Sequence, residues 1–205
     1  ANIAPYSGVT STALTLTNVP AGLTGNLYRA VALNSVGVAT SNGATLTVNV
    51  PPVVTAQPTS QIVATGTTAL FIVAASGNPT PTFQWQLSTN GGATFTNLSD
   101  VGPYSGTATA TLSIANVFTG LTGNQYRAVA TNVAGAATSA AATLTVNIPP
   151  TITTEPASSA VIIAGQNASF SVAAAGTPAP TYQWQVSSNG GASWTDLTNT
   201  ATYSG

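Results

Sequence analysis

Apolar and polar positions alternate with a period of two through much of this chain. Leu112 and Ile114 flank Ser113, Phe71 and Val73 flank Ile72, and Thr and Val are abundant. A period of two marks strands that bury one face, and β-branched residues suit a pleated, half-buried surface. Asn90-Gly91-Gly92 and Asn189-Gly190-Gly191 interrupt the pattern with residues that tolerate positive φ. They predict hairpin turns joining 85–88 to 94–96, and Trp184 to Trp194. No segment carries helical periodicity, so the chain is expected to be all-β.

The pattern also repeats on a longer scale. Tyr6-Ser7-Gly8 returns as Tyr104-Ser105-Gly106 and Tyr203-Ser204-Gly205. The stretch 23–32 returns at 121–130, Phe83-Gln84-Trp85-Gln86 returns as Tyr182-Gln183-Trp184-Gln185, and Val50-Pro51-Pro52 returns as Ile148-Pro149-Pro150. A period of about a hundred residues is a whole domain rather than a solenoid turn. Each Pro-Pro follows a closing strand and opens a new domain. The expected organisation is the C-terminal half of a domain at 1–50, a complete domain at 51–148 and the N-terminal half of a third at 149–205. Proline fixes φ and removes a donor, so these joints are expected to be short and extended.

Composition narrows function sharply. Apolar residues make up 43% of the 205 and charged residues 2%, against roughly 25% charged in ordinary soluble domains. The charges are Arg29, Arg127, Asp100, Glu155 and Asp196; Lys, His, Cys and Met are absent. Two arginines cannot provide the phosphate contacts that nucleic-acid binding needs. Thiolate and imidazole metal sites lack ligands, and three scattered acids do not make a calcium cage. Serine and cysteine nucleophiles lack their base, and no repeat carries the facing carboxylates of a glycosidase. The expectation is therefore no enzyme and no cofactor. Apolar runs are short and interrupted, so no membrane insertion is expected. No signal peptide and no initiator Met are visible, which reads as an internal piece of a longer or processed chain. A nearly uncharged surface suits a part that associates or sits outside the cell.

The middle repeat reads Phe71-x-Val73, Gly77-x-Pro79-x-Pro81, Trp85, then Leu112-x-Ile114, Val117, Gly123, Tyr126-x-Ala128-x-Ala130-x-Asn132 and Gly135. This resembles the immunoglobulin superfamily, intermediate-set, and is similar to the Cys-less immunoglobulin-like repeats of large bacterial surface and adhesin-type proteins. The resemblance implies tandem antiparallel β-sandwiches with Greek-key topology. It implies that Trp85 and Trp184 are the buried tryptophans of strand C. Tyr28 and Tyr126 would be corner tyrosines whose hydroxyls tie back to nearby backbone. It also places the family's disulfide cysteines at Val73 and Ala128, so a Val–Ala contact stands where the bridge would be.

Phe95 and Trp194, beyond the hairpin turns, are the candidate surface contacts. Arg29 and Arg127 follow the corner tyrosines and should face outward. Asp100, Glu155 and Asp196 read as turn or strand-edge residues. Asn97-Leu98-Ser99 and Asn167-Ala168-Ser169 match glycosylation sequons, as such triplets often do by chance in a Thr/Ser/Asn-rich chain. The leading functional expectation is a structural or adhesive repeat of an extracellular or cell-surface protein, a stiff spacer or fibre body. The alternative is an accessory module of a secreted enzyme that recognises carbohydrate or cells. Partners are expected to be neighbouring repeats or self-association, with a glycan or protein partner open. Residues 1–50 and 149–205 are complementary halves of one repeat. They would be completed either by a continuing chain or by strand exchange between molecules. Both ends include the Tyr-Ser-Gly turn, and that overlap favours a continuing chain.

Overall fold

Segments of period two bounded by turn residues become strands, and no α-helix forms among the described residues. The computed structural model describes residues 4–157, 160–200 and 202–203. The chain divides into two compact units, Ala1–Thr145 and Val146–Gly205.

The first unit begins with three small antiparallel pairs. β1 (Tyr6–Ser7) pairs β2 (Thr15–Leu16), β3 (Leu27–Tyr28) pairs β6 (Ala44–Thr45), and β4 (Val31–Asn34) pairs β5 (Gly37–Thr40). A one-turn 3-10 helix spans Ala21–Leu23, too short to leave a periodic signal in the sequence. None of residues 4–51 is buried.

A two-sheet sandwich follows. Its strands are β7 (Val50–Ala56), β8 (Gln61–Ala64), β9 (Ala69–Ile72), β10 (Ala74–Asn78), β11 (Thr82–Ser88), β12 (Thr96–Asn97), β13 (Tyr104–Ser105), β14 (Thr111–Ile114), β15 (Gln125–Asn132), β16 (Gly135–Thr138) and β17 (Ala142–Thr154). One sheet runs β12-β11-β15-β17, with β16 along β15 and β8 along β17; another runs β13-β14-β9. After Val73, β10 carries the chain on to pair with β7. Pairing of β11 with β15 and of β9 with β14 joins strands distant in sequence, as Greek keys do.

Alternation becomes burial here. Leu112 and Ile114 on β14, Phe71 on β9, and Tyr126, Ala128 and Ala130 on β15 turn inward, while Ile72 is exposed. The ring centroid of Phe71 lies 5.0 Å from Tyr126 and 6.4 Å from Trp85. In the second unit the later residues of β17 pair β18 (Ala173–Thr177), and β19 (Gln185–Val186) pairs β20 (Thr195–Asp196). None of the described residues after 146 is buried.

Candidate functional site

Trp85 lies on β11 opposite Ala128 of β15 and is 0% exposed; Val73 and Ala128 are also buried. Its indole Nε1–H donates to the Thr109 carbonyl at 2.9 Å and its amide donates to the Thr107 carbonyl at 2.8 Å. Both acceptors lie in the turn after Tyr104-Ser105-Gly106. Asp100 fixes that turn by accepting from the Thr107 hydroxyl at 2.7 Å and the Thr107 amide at 2.9 Å. These donors, the hydroxyl first, hold the Asp100 carboxyl below the usual carboxylate range against a smaller opposing effect of burial. A carboxyl lowered by folding stabilises the fold above the ordinary carboxylate pKa, and that stability is lost as pH falls through the folded-state value. Asp100→Asn is therefore expected to lower the thermal midpoint at neutral pH and to flatten its fall on acidification, read by melting at stepped pH.

The corner tyrosines differ from their expected geometry. Tyr126 is 0% exposed, yet its hydroxyl has no hydrogen-bonding partner among the described residues rather than a tie to backbone. The Tyr104 ring packs beside it, with centroids 6.2 Å apart. In the first residues of the chain the equivalent pair meets, with the Tyr6 and Tyr28 hydroxyls 3.3 Å apart and Tyr28 only half-buried. Burial first, and Tyr104 second, push the Tyr126 phenol well above its ordinary range. A pKa raised by folding gives stability that is present below the unfolded value, about 10, and lost as pH rises above it. Tyr126→Phe removes an unpaired buried hydroxyl. It is expected to raise stability by about 1 kcal/mol and to remove part of the alkaline destabilisation, read by urea unfolding from neutral to alkaline pH.

The outward side of the same sheet carries polar side chains. The Arg127 guanidinium lies 3.9 Å above the half-buried Phe95 ring, and its Nε donates to Gln86 Oε1 at 2.8 Å. Gln86 Nε2 in turn donates to Asn97 Oδ1 at 2.8 Å. Gln84 Nε2 spans two backbone carbonyls, Trp85 at 2.9 Å and Leu98 at 2.8 Å. The strip Phe95–Arg127–Gln86–Asn97 is thus an ordered aromatic–amide surface. The sequence places Arg127 outward but does not reveal that it caps Phe95; the link needs the register Gln86↔Arg127.

The second unit repeats half of this surface. Gln185 Nε2 donates to Asp196 Oδ1 at 2.8 Å, and Gln183 Nε2 spans the Trp184 and Leu197 carbonyls at 2.9 and 2.8 Å. Trp194, in the place of Phe95, is 60% exposed. Trp184, expected in a core, is 38% exposed, because no described strand of its unit pairs on its open side. Pro156, Gln183, Trp184, Gln185 and Trp194 line a shallow depression.

Among the described residues no three acidic, His or Cys side chains group to hold a metal, and no helix is long and apolar enough to cross a membrane. Residues 51–132 match the immunoglobulin domain family. Over 144 residues, 70% of this chain, the sequence is 40% identical to endoglucanase C of Cellulomonas fimi, of which it spans 12%. Over 179 residues, 84% of the chain, it is 34% identical to Roundabout homolog 1 of Mus musculus, of which it spans 11%. An I-band fragment of titin superposes with a TM-score of 0.57 over 74% of this chain and 50% of its own, at 22% identity, a likeness of fold.

Proposed function

This chain carries a cysteine-free immunoglobulin-like domain, and from that premise we propose that it is a non-catalytic structural or adhesive repeat of an extracellular or cell-surface protein, a stiff spacer or fibre body. The observation that carries this reading is the way the chain enters the middle domain. Asn132 Nδ2 donates to the Val50 carbonyl at 2.8 Å and to the Pro79 carbonyl at 2.8 Å. Asn78 Nδ2 donates to the Val48 carbonyl at 2.9 Å. Gly77 leaves room for the Pro52 backbone, whose Cα would lie 3.3 Å from a Cβ added there. The entering segment is therefore bonded to the domain it enters, with Pro51 and Pro52 supplying fixed φ. Two domains joined without free residues keep a fixed spacing, the property a spacer needs. The domain boundaries at 50/51 and 148/149 belong to this proposal.

Small-angle scattering from a protein containing several consecutive repeats tests it. One narrow distribution of inter-repeat distances is expected, and a broad one would defeat the reading.

A second reading rests on the aromatic–amide surface. A relative named endoglucanase and the recurrence of Phe95, Gln86 and Asn97 as Trp194, Gln185 and Asp196 support an accessory module that recognises polysaccharide. Aromatic rings with adjacent amides suit sugar rings, and the Arg127 stack on Phe95 opposes that use. Co-sedimentation with insoluble cellulose and other polysaccharides separates the two. Retention that is lost in Trp194→Ala would favour the accessory module.

A further inference from the structure

We infer that the outward side of β7, β10, β9, β14 and β13 is a docking surface for the same face of a second copy of this chain, so that two middle sandwiches pair through it. The inference goes beyond the spacer reading above and does not rest on it.

Registers fix which residues share this face. Phe71, Val73, Leu112 and Ile114 are buried between the sheets, so their neighbours along the strands point outward. Leu70 stands opposite Ser113 and Ile72 opposite Thr111, and Ser113 in turn stands opposite Ser105. Further along, Ala74 stands opposite Ala56 and Ser76 opposite Val53. The result is a strip of apolar side chains, Val53, Ala56, Leu70, Ile72 and Ala74, bordered by the hydroxyls of Ser76, Ser105, Thr111 and Ser113. Val53, Leu70 and Ile72 are 58%, 47% and 59% exposed. The inward side of these strands already packs in the core, so the strip is not a core left open.

The strip is particular to this repeat. Phe71 and Val73 return in the following repeat as Phe170 and Val172, so the inward residues are kept. The outward ones are not: Thr151, Ser169 and Ser171 stand where Val53, Leu70 and Ile72 stand in the middle repeat. Antiparallel sheets with one solvated face ordinarily carry polar residues there, and the following repeat does. An apolar patch in their place marks a contact surface. Charge and hydroxyls select the occupant. None of these five strands carries a charged residue, so the face offers nothing to a charged partner. A copy of itself buries no unpaired charge against it. Serine and threonine hydroxyls both donate and accept, so a hydroxyl border complements itself about a two-fold axis. From strand and side-chain spacings the face measures roughly 400 Å² per partner, about half of what a stable complex buries. One such contact is weak, with an expected dissociation constant of about 0.1–1 mM.

Sedimentation equilibrium of the full chain up to about 1 mM, with amide resonances followed over the same range, tests the inference. The mass of the unmodified chain should rise with concentration while the amides of Leu70, Ile72, Thr111 and Ser113 shift. Leu70→Ser/Ile72→Ser gives both positions the residue type of the following repeat, and should weaken association about tenfold or more. Ile62→Ser is the control. Ile62 is 72% exposed, but it lies on β8 along β17, away from this face, so association should be unchanged. Ile72→Asp and Ile72→Lys should each fail to associate through this face, and an equimolar mixture of the two should associate again as opposite charges meet. Circular dichroism establishes that each variant is folded, and the charge pair keeps the test open should the double serine variant unfold. A monomer at every concentration, amide shifts confined to other residues, association undiminished in Leu70→Ser/Ile72→Ser, an equal loss in Ile62→Ser, or no recovery in the mixture would overturn the inference.

Discussion

Trp85→Ala is expected to destabilise the middle sandwich by about 3–5 kcal/mol, the range found when a large buried aromatic is truncated. Two contributions add. The indole is wholly buried beside Phe71 and opposite Ala128, so its loss leaves a cavity between the sheets. Its Nε1–H also satisfies the Thr109 carbonyl, which the alanine leaves without that donor. Against a whole-domain stability of about 5–15 kcal/mol, the variant would be marginal at physiological temperature. Guanidinium unfolding followed by far-ultraviolet circular dichroism measures the loss. The same truncation at exposed Trp194 should change stability by no more than about 0.5 kcal/mol. Equal losses at the two positions would contradict the assignment of Trp85 as the core's central residue.

Gly106→Ala should be the second most damaging single change, at more than about 2 kcal/mol. Gly106 has φ +73, in the left-handed region, where an alanine costs roughly 1–2 kcal/mol. A Cβ there would also overlap the Thr111 carbonyl oxygen, a backbone atom that cannot step aside. Any relief must move the turn that carries Thr107 and Thr109, the two acceptors of Trp85. Gly102→Ala is the matched control, since its φ is +66 but no atom lies within 4 Å of its added Cβ. Thermal melts of the two variants side by side isolate the overlap from the backbone preference.

This glycine illustrates what could be read from the sequence. The recurrence of Tyr-Ser-Gly is visible without coordinates, but its cause is not. Gly8 meets the Ala13 carbonyl oxygen as Gly106 meets that of Thr111, so in both copies a carbonyl occupies the space of a Cβ; the third copy, ending at Gly205, lies outside the described residues. The alternation of Leu112 and Ile114 about Ser113 and the place of Trp85 were legible, because period and spacing alone decide which face of a strand is buried. Trp184 is exposed despite a motif nearly identical to that of Trp85, as expected where residues 149–205 supply only the first half of a repeat. A strand pattern names the face that wants cover but not whether cover is present. The Phe95–Arg127 stack was hidden for a related reason: it depends on a register between residues far apart in sequence. Asp100 read as a turn residue. Its grip on Thr107 emerges only when the loop is closed.

The absence of cysteine from a sandwich with a fully buried core has a consequence for where the domain can mature. Its core holds without any thiol, so its melting temperature should be the same with and without dithiothreitol. Folding needs neither an oxidant nor a disulfide isomerase, and no mispaired bridge can trap it. Such a domain can reach the same native state in a reducing or an oxidising compartment.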